Sequence, residues 1–142
     1  MTGRLLLDNS AWVRLGDRSL PAERAGEVAD ALEAGRVAAC LPFLLEAGYS
    51  ARSARDHDQL LSELLSLPWV QIDQAVEQRS LDAQRQLARV GHHRLPPVDL
   101  LVAALADRHR LAVLHYDRDY DVLADKTDLD FESVWLAEPG AL

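Results

Sequence analysis

The sequence predicts an α/β fold in which helices cover both faces of a central, mainly parallel sheet of five strands. Short apolar segments alternate along the chain with longer amphipathic segments, which is typical of parallel strands joined by helical crossovers. The short segments are apolar throughout, which indicates strands buried on both faces. With 142 residues, 49% of them apolar, we expect a single domain spanning residues 1–142.

The first strand is predicted at residues 5–7, which are three leucines. It ends in Asp8, Asn9 and Ser10, residue types that commonly begin a helix. Residues 21–34 form an amphipathic pattern that ends just before Gly35, so we expect a helix there.

The second strand is predicted at 37–41, a continuous apolar run that contains Cys40, the only cysteine of the chain. Pro42 favours the first turn of a helix, which we expect to continue to about residue 53. Asp56 is the predicted cap of another helix, which reaches about residue 66. A lone cysteine in an apolar run indicates a buried thiol rather than a disulfide.

The second half of the chain repeats the alternation. A third strand at 69–72 leads to Asp73, the predicted cap of a helix that reaches about residue 90. Two prolines introduce the next helix. The remaining predicted elements are a helix at 98–109, strands at 111–115 and 131–136, and between them a short helical turn at 117–124.

Charge and hydropathy limit the class of function. The net charge of −8 argues against a protein that coats nucleic acid, which is normally basic. It does not exclude an enzyme that acts on nucleic acid through a pocket of carboxylates. No apolar run approaches the roughly 20 residues that span a bilayer. The N-terminal segment lacks the features of a signal peptide, so we expect a cytoplasmic protein.

Four acids fall at positions where the predicted fold brings distant segments together. Asp8 and Asp117 follow strands, and Glu46 and Asp99 lie in the first turns of helices that begin at the same edge. Ligands of open α/β sheets bind at the carboxyl ends of the strands. Like charges in one crevice need a counter-charge, and oxygen-only ligands suit Mg²⁺, with Mn²⁺ as a plausible substitute.

Each acid also has a structural alternative. Asp8 can cap a helix, Asp117 can stabilise a turn, and Asp99 is favoured by the dipole of its helix. Glu46 lies in an apolar setting and can extend to a solvated edge. Taken singly these alternatives are reasonable, and the shared edge is what favours a metal site.

At these residues the sequence resembles the PIN-domain family, and within it the VapC toxins of bacterial toxin–antitoxin pairs. The resemblance covers the chain in order and spacing, and is carried by residues 5–12, Glu46, 97–104 and 114–120. It implies a three-layer α/β/α fold and metal-dependent cleavage of RNA, such as tRNA or rRNA. It also implies a homodimer and inhibition by a cognate VapB-like antitoxin.

The resemblance assigns roles residue by residue. Asp8 and Asp99 match the metal ligands most directly, Glu46 and Asp117 complete the cluster, and Asp119 matches a more variable acidic position. Two positions depart from the family pattern. His115 stands where serine or threonine is common, and Asn9 stands where threonine is frequent.

Three neighbouring side chains are candidates for supporting roles. Ser10 can donate a hydrogen bond to a ligating carboxylate, although a helix-capping role is an equal alternative. Arg94 and Arg118 lie beside the predicted crevice and are candidates for binding substrate phosphates. The alternative for either arginine is a solvated side chain.

Other families with acidic sites fit the sequence less well. A receiver domain needs a lysine at the end of a late strand, and Lys126 lies after the helical turn instead. A haloacid-dehalogenase-type phosphatase needs aspartate where Ser10 stands. An EF-hand beginning at Asp117 would have Val122 in place of glycine. Two alternatives within the PIN resemblance remain open: a domain that binds RNA or protein without cleavage, and a DNA-directed nuclease.

Overall fold

The computed structural model describes Met1 and residues 3–142. Its elements are, in chain order, β1 (Leu5–Leu7), α1 (Asn9–Trp12), α2 (Ala22–Glu33), β2 (Val37–Ala38), α3 (Leu41–Tyr49), α4 (Ala54–Leu64), α5 (Gln74–Arg89), α6 (Pro97–His109), β3 (Ala112–His115), α7 (Asp119–Lys126) and β4 (Ser133–Trp135). The predicted α/β class, with a parallel sheet flanked by helices, is confirmed.

The strands form one sheet in the order β2-β1-β3-β4, and every pairing is parallel. Leu5 of β1 pairs with Val37 on one side and Ala112 on the other. Because all strands run in the same direction, their carboxyl ends share one edge of the sheet. β1 and β3 are the two central strands, so the residues that follow them lie near the middle of that edge.

The predicted sheet of five strands is wrong by one strand. Residues 69–72 do not form a strand, and their pairing is limited to a single bridge between Ala39 and Trp69. Two hydrogen bonds make this bridge, from the Ala39 amide to the Pro68 carbonyl (2.8 Å) and from the Val70 amide to the Ala39 carbonyl (3.0 Å). Pairing ends there because the neighbouring segment turns into α3 at Leu41.

The helix predicted over residues 42–53 is shorter in the structure. α3 ends at Tyr49, and Ser53 caps α4 by accepting a hydrogen bond from the Asp56 amide (3.1 Å). Asp56 is therefore not the cap, and its carboxylate accepts from the Arg52 amide instead (3.0 Å). The predicted cap at Asp73 is confirmed by its 2.9 Å bond from the Val76 amide.

The core lies around β1 and β3 and is closed by α6. Leu5, Leu6 and Leu7 are buried, as are the residues of α6 from Val102 to Ala106. Cys40 is buried among them as predicted, and burial raises the pKa of its thiol to about 12. Burial of α6 fixes its N-terminal turn, and with it Asp99, against the sheet edge. Within the described residues no helix is both long and apolar enough to cross a membrane.

Candidate metal centre

The carboxyl edge of the sheet collects the predicted acids from five segments. Asp8 follows β1, Glu46 projects from α3, Asp99 lies in the first turn of α6, Asp117 follows β3, and Asp119 is the first residue of α7. One carboxylate oxygen from each of Asp8, Glu46 and Asp99 lies within 4.8 Å of the others. Asp99, Asp117 and Asp119 form a second such triad. Asp99 belongs to both triads, which makes it the centre of the cluster.

Burial and mutual repulsion raise the pKa of several of these carboxyl groups. Asp99 is only 6% exposed, and burial, followed by the negative charges of Asp8 and Asp117, raises its pKa to about 8. Burial and the same two neighbours also raise the pKa of Glu46. Burial and Asp117 raise the pKa of Asp119. The cluster therefore carries more negative charge than its own surroundings neutralise.

The donor set and its surroundings fit a divalent cation. In the part of the chain that the structure describes, no arginine or lysine forms a salt bridge with any of these acids. The Oε2 atom of Glu46 is buried and has no hydrogen-bond partner among the described residues. Carboxylate oxygens alone, without cysteine or histidine, are the ligands that Mg²⁺ and Mn²⁺ prefer.

Asp8 is held firmly by its neighbours. Its Oδ2 atom accepts hydrogen bonds from the Ser10 amide (3.0 Å) and from Ser10 Oγ (2.5 Å). Ser10 Oγ in turn accepts from the Tyr116 amide (2.8 Å). Ser10 thus joins the turn after β1 to the segment after β3. It occupies the place that was predicted for a residue supporting a ligating carboxylate, and it also serves α1 as part of the Asp8 cap.

Tyr120 is a site residue that sequence reasoning missed. Its hydroxyl donates to Asp8 Oδ1 (2.6 Å) and lies 3.4 Å from Asp99 Oδ1. Since the hydroxyl has one proton, the shorter bond to Asp8 is the principal one. Burial and the charges of Asp8 and Asp99 raise the pKa of Tyr120 well above its usual value. The hydroxyl therefore stays protonated and is a neutral donor between two acids.

The two positions that depart from the family pattern differ in their surroundings. His115 is buried at the end of β3 and makes two hydrogen bonds through its ring. Asn9 is partly buried, and its Oδ1 atom has no partner among the described residues. The His115 ring is thus part of a hydrogen-bond network, whereas the side-chain oxygen of Asn9 is not.

The predicted phosphate-binding arginines are both exposed. Arg118 immediately precedes α7, between Asp117 and Asp119, and Arg94 lies in the loop between α5 and α6. Neither forms a salt bridge within the described chain. Their guanidinium groups are free for a ligand, and a role in binding substrate stays a prediction.

Comparison with known proteins places the chain in a family. The family described as PIN domain matches residues 5–126. Ribonuclease VapC21 of Mycobacterium tuberculosis is 37% identical over 142 residues, covering 99% of each chain. Ribonuclease VapC51 of the same organism is 35% identical, covering 100% of this chain and 99% of its own length.

Solved structures show the same fold at lower sequence identity. The DNA-bound VapBC of Salmonella typhimurium contains a chain with a TM-score of 0.71 and 15% identity, covering 96% of this chain and 100% of that one. VapBC-5 of Mycobacterium tuberculosis gives a TM-score of 0.63 at 22% identity, with coverages of 94% and 100%. The protein with this acid cluster at its sheet edge therefore belongs to the PIN domain family, among its VapC ribonucleases.

Proposed function

We propose that the protein is a Mg²⁺-dependent endoribonuclease, the toxin of a toxin–antitoxin pair, that hydrolyses phosphodiester bonds of RNA. The observation that carries this proposal is the convergence of Asp8, Glu46 and Asp99, and of Asp99, Asp117 and Asp119, at one sheet edge. Full-length relatives named as ribonucleases support the reaction class. We further propose one domain over residues 1–142.

The proposed roles follow from the contacts. Asp8 and Asp99 would bind the cation directly, while Glu46, Asp117 and Asp119 would bind it directly or through water. A divalent cation supplies activation of a water nucleophile and stabilisation of charge on the phosphoryl oxygens. Ser10 and Tyr120 orient the Asp8 carboxylate by donating to its two oxygens. Asp99 must lose its proton before it can act as a ligand.

Substrate and partners are proposed from the same family membership. Arg94 and Arg118, both of which are exposed, would bind backbone phosphates of a tRNA or rRNA. VapBC-5 of Mycobacterium tuberculosis, which has a similar fold, is a member of the VapBC family of toxin–antitoxin systems, and we propose a VapB-like antitoxin for this chain. A homodimer in the cytoplasm is the assembly and location that we propose.

The test is cleavage of tRNA, rRNA fragments and single-stranded DNA in Mg²⁺ or Mn²⁺, with and without EDTA. We expect RNA cleavage that EDTA abolishes and that Asp8→Asn lowers at least 100-fold, as loss of a ligand to a catalytic cation implies. Asp58→Asn, an exposed acid of α4, is the matched control and should cleave normally. RNA cleavage that survives both EDTA and Asp8→Asn would refute the mechanism.

The same assay separates the alternatives. Preferential cleavage of single-stranded DNA would indicate a DNA-directed nuclease. Binding of RNA without cleavage in either metal would indicate a PIN-fold binding domain. The two acid triads, in each of which the carboxylate oxygens lie within 4.8 Å of one another, favour the nuclease over the non-cleaving domain.

A further inference from the structure

A second network of side chains lies directly behind the acid cluster and ends on the backbone of Asp117. Its centre is His115, the last residue of β3, which is 0% exposed. The His115 ring packs between Tyr120 and Trp135, with centroid distances of 4.8 Å and 5.0 Å. Its Nδ1 atom accepts a hydrogen bond from the Asp117 amide (3.1 Å), and its Nε2 atom lies 2.7 Å from Ser133 Oγ.

The bonds around the ring define which nitrogen carries the proton. Because Nδ1 accepts from the Asp117 amide, the proton of the neutral ring is on Nε2 and is donated to Ser133 Oγ. Ser133 Oγ then donates to Asp121 Oδ1 (2.7 Å), and Trp135 Nε1 donates to Asp121 Oδ2 (2.9 Å). Every donor in this chain of bonds meets one acceptor, so the ring has one preferred orientation.

The network stabilises the point where the sheet ends and the acidic turn begins. Asp117 lies beyond β3, so strand pairing does not constrain it directly. The bond from its amide to His115 supplies that constraint, while Asp117 Oδ1 accepts from the Asp119 amide (2.9 Å). β4 and α7 contribute to the constraint through Ser133 and Asp121. The hydroxyl of a serine or threonine could accept a hydrogen bond from the Asp117 amide. In this chain Nδ1 of His115 is the acceptor.

We propose that His115 is a positioning residue, which holds the Asp117 carboxylate in the acid cluster by accepting the Asp117 amide hydrogen bond, and that Ser133 and Asp121 hold the ring in place. This inference rests on the proposed function, because the position of Asp117 matters through cation binding. Partners behind a ligand typically change metal affinity about 10- to 100-fold when they are removed. We therefore expect loss of the acceptor to weaken Mn²⁺ binding about tenfold.

The experiment compares replacements of His115 in the full chain. His115→Leu removes both ring bonds and keeps an apolar side chain, whereas His115→Asn retains an acceptor near the position of Nδ1. Binding of Mn²⁺ is measured by calorimetry without RNA, and kcat and KM are then measured with RNA in saturating Mn²⁺. Urea unfolding in EDTA reports the stability of each variant. Ser62→Ala, an exposed serine of α4, is the control for Ser133→Ala.

We expect His115→Leu to bind Mn²⁺ about tenfold more weakly and to lower kcat more than it changes KM. His115→Asn should recover most of the affinity, and Ser133→Ala should weaken binding by a smaller factor than His115→Leu. Ser62→Ala should match the unaltered chain. If His115→Leu does not fold, Ser133→Ala and Asp121→Ala decide the question. Ser133→Ala removes the bond partner of Nε2, and Asp121→Ala removes the acceptor that orients the Ser133 hydroxyl. Neither change empties the pocket of the ring.

Unchanged Mn²⁺ affinity in His115→Leu, or in both Ser133→Ala and Asp121→Ala, overturns the inference and leaves the nuclease proposal intact. Equal losses in His115→Asn and His115→Leu also overturn it, because packing and not the acceptor would then be responsible. Failure of the unaltered chain to bind Mn²⁺ or to cleave RNA overturns the proposed function and this inference together.

Discussion

Raising the pH from 6 to 8 should tighten the binding of Mn²⁺ substantially, because Asp99 must release a proton in order to become a ligand. The pKa of Asp99 is raised to about 8, chiefly by burial and then by the charges of the neighbouring acids. About one Asp99 in 100 is ionised at pH 6 and about half at pH 8, so affinity should rise about 50-fold, or roughly 2.3 kcal/mol.

The titration of Glu46 and His115 does not oppose this dependence on pH. The pKa of Glu46 is also raised, chiefly by burial and then by Asp8 and Asp117, so any proton that Glu46 loses on binding the ion acts in the same direction. Burial lowers the pKa of His115 to about 4, so its ring is neutral throughout this range and contributes nothing. Affinity should therefore increase with pH and never decrease between pH 6 and 8.

Calorimetric titration with Mn²⁺ in two buffers of different ionisation enthalpy gives both the affinity and the number of protons released. We expect release from Asp99 of about one proton per ion at pH 6 and about half a proton at pH 8. Asp58→Asn should behave as the unaltered chain does. An affinity that stays constant from pH 6 to 8, with no proton released, would show that Asp99 is already ionised and that the reasoning is wrong.

Three further changes should alter stability in defined directions, each measured by urea unfolding in EDTA. In the unfolded chain Asp99 ionises near pH 4, whereas in the folded chain its pKa is about 8. The free energy of unfolding should therefore fall as the pH rises across that range, by several kcal/mol at pH 8, and Asp99→Asn should prevent this loss. An unchanged slope of stability against pH would contradict this. Tyr120→Phe removes the donor to the Asp8 carboxylate and should cost about 1.5–3 kcal/mol; no loss would mean that this bond contributes nothing. Gly26→Ala, in the middle of α2 with no atom within 4 Å of the new Cβ, should stabilise the chain by about 0.5–1 kcal/mol, and destabilisation would reveal an unrecognised contact.

The convergence of the acids could be predicted because it depends on topology and not on detailed packing. Asp8 and Asp117 each follow an apolar strand, and a parallel sheet brings the ends of its strands to one edge. Asp99 begins a helix that is apolar on all sides, so its position against the sheet followed from burial of that helix. These inferences need only the order of elements, which the hydrophobic pattern defines well.

The features that could not be predicted depend on contacts between distant residues. Tyr120 fits the apolar pattern of α7, and nothing local indicates that its hydroxyl donates to Asp8, 112 positions away. The only available signal was that a buried tyrosine hydroxyl usually needs a partner. Residues around Trp69 have strand-forming composition, but β2 is too short to extend the pairing beyond one bridge.

The order of the strands also determines how late in translation the acid cluster can form. β1 lies between β2 and β3. Leu5 of β1 therefore cannot pair with Ala112 of β3 until more than 100 further residues have been translated. Asp117, Asp119 and Tyr120 emerge from the ribosome later still. A product that ends before Asp117 lacks all three side chains, so we expect such a fragment not to cleave RNA.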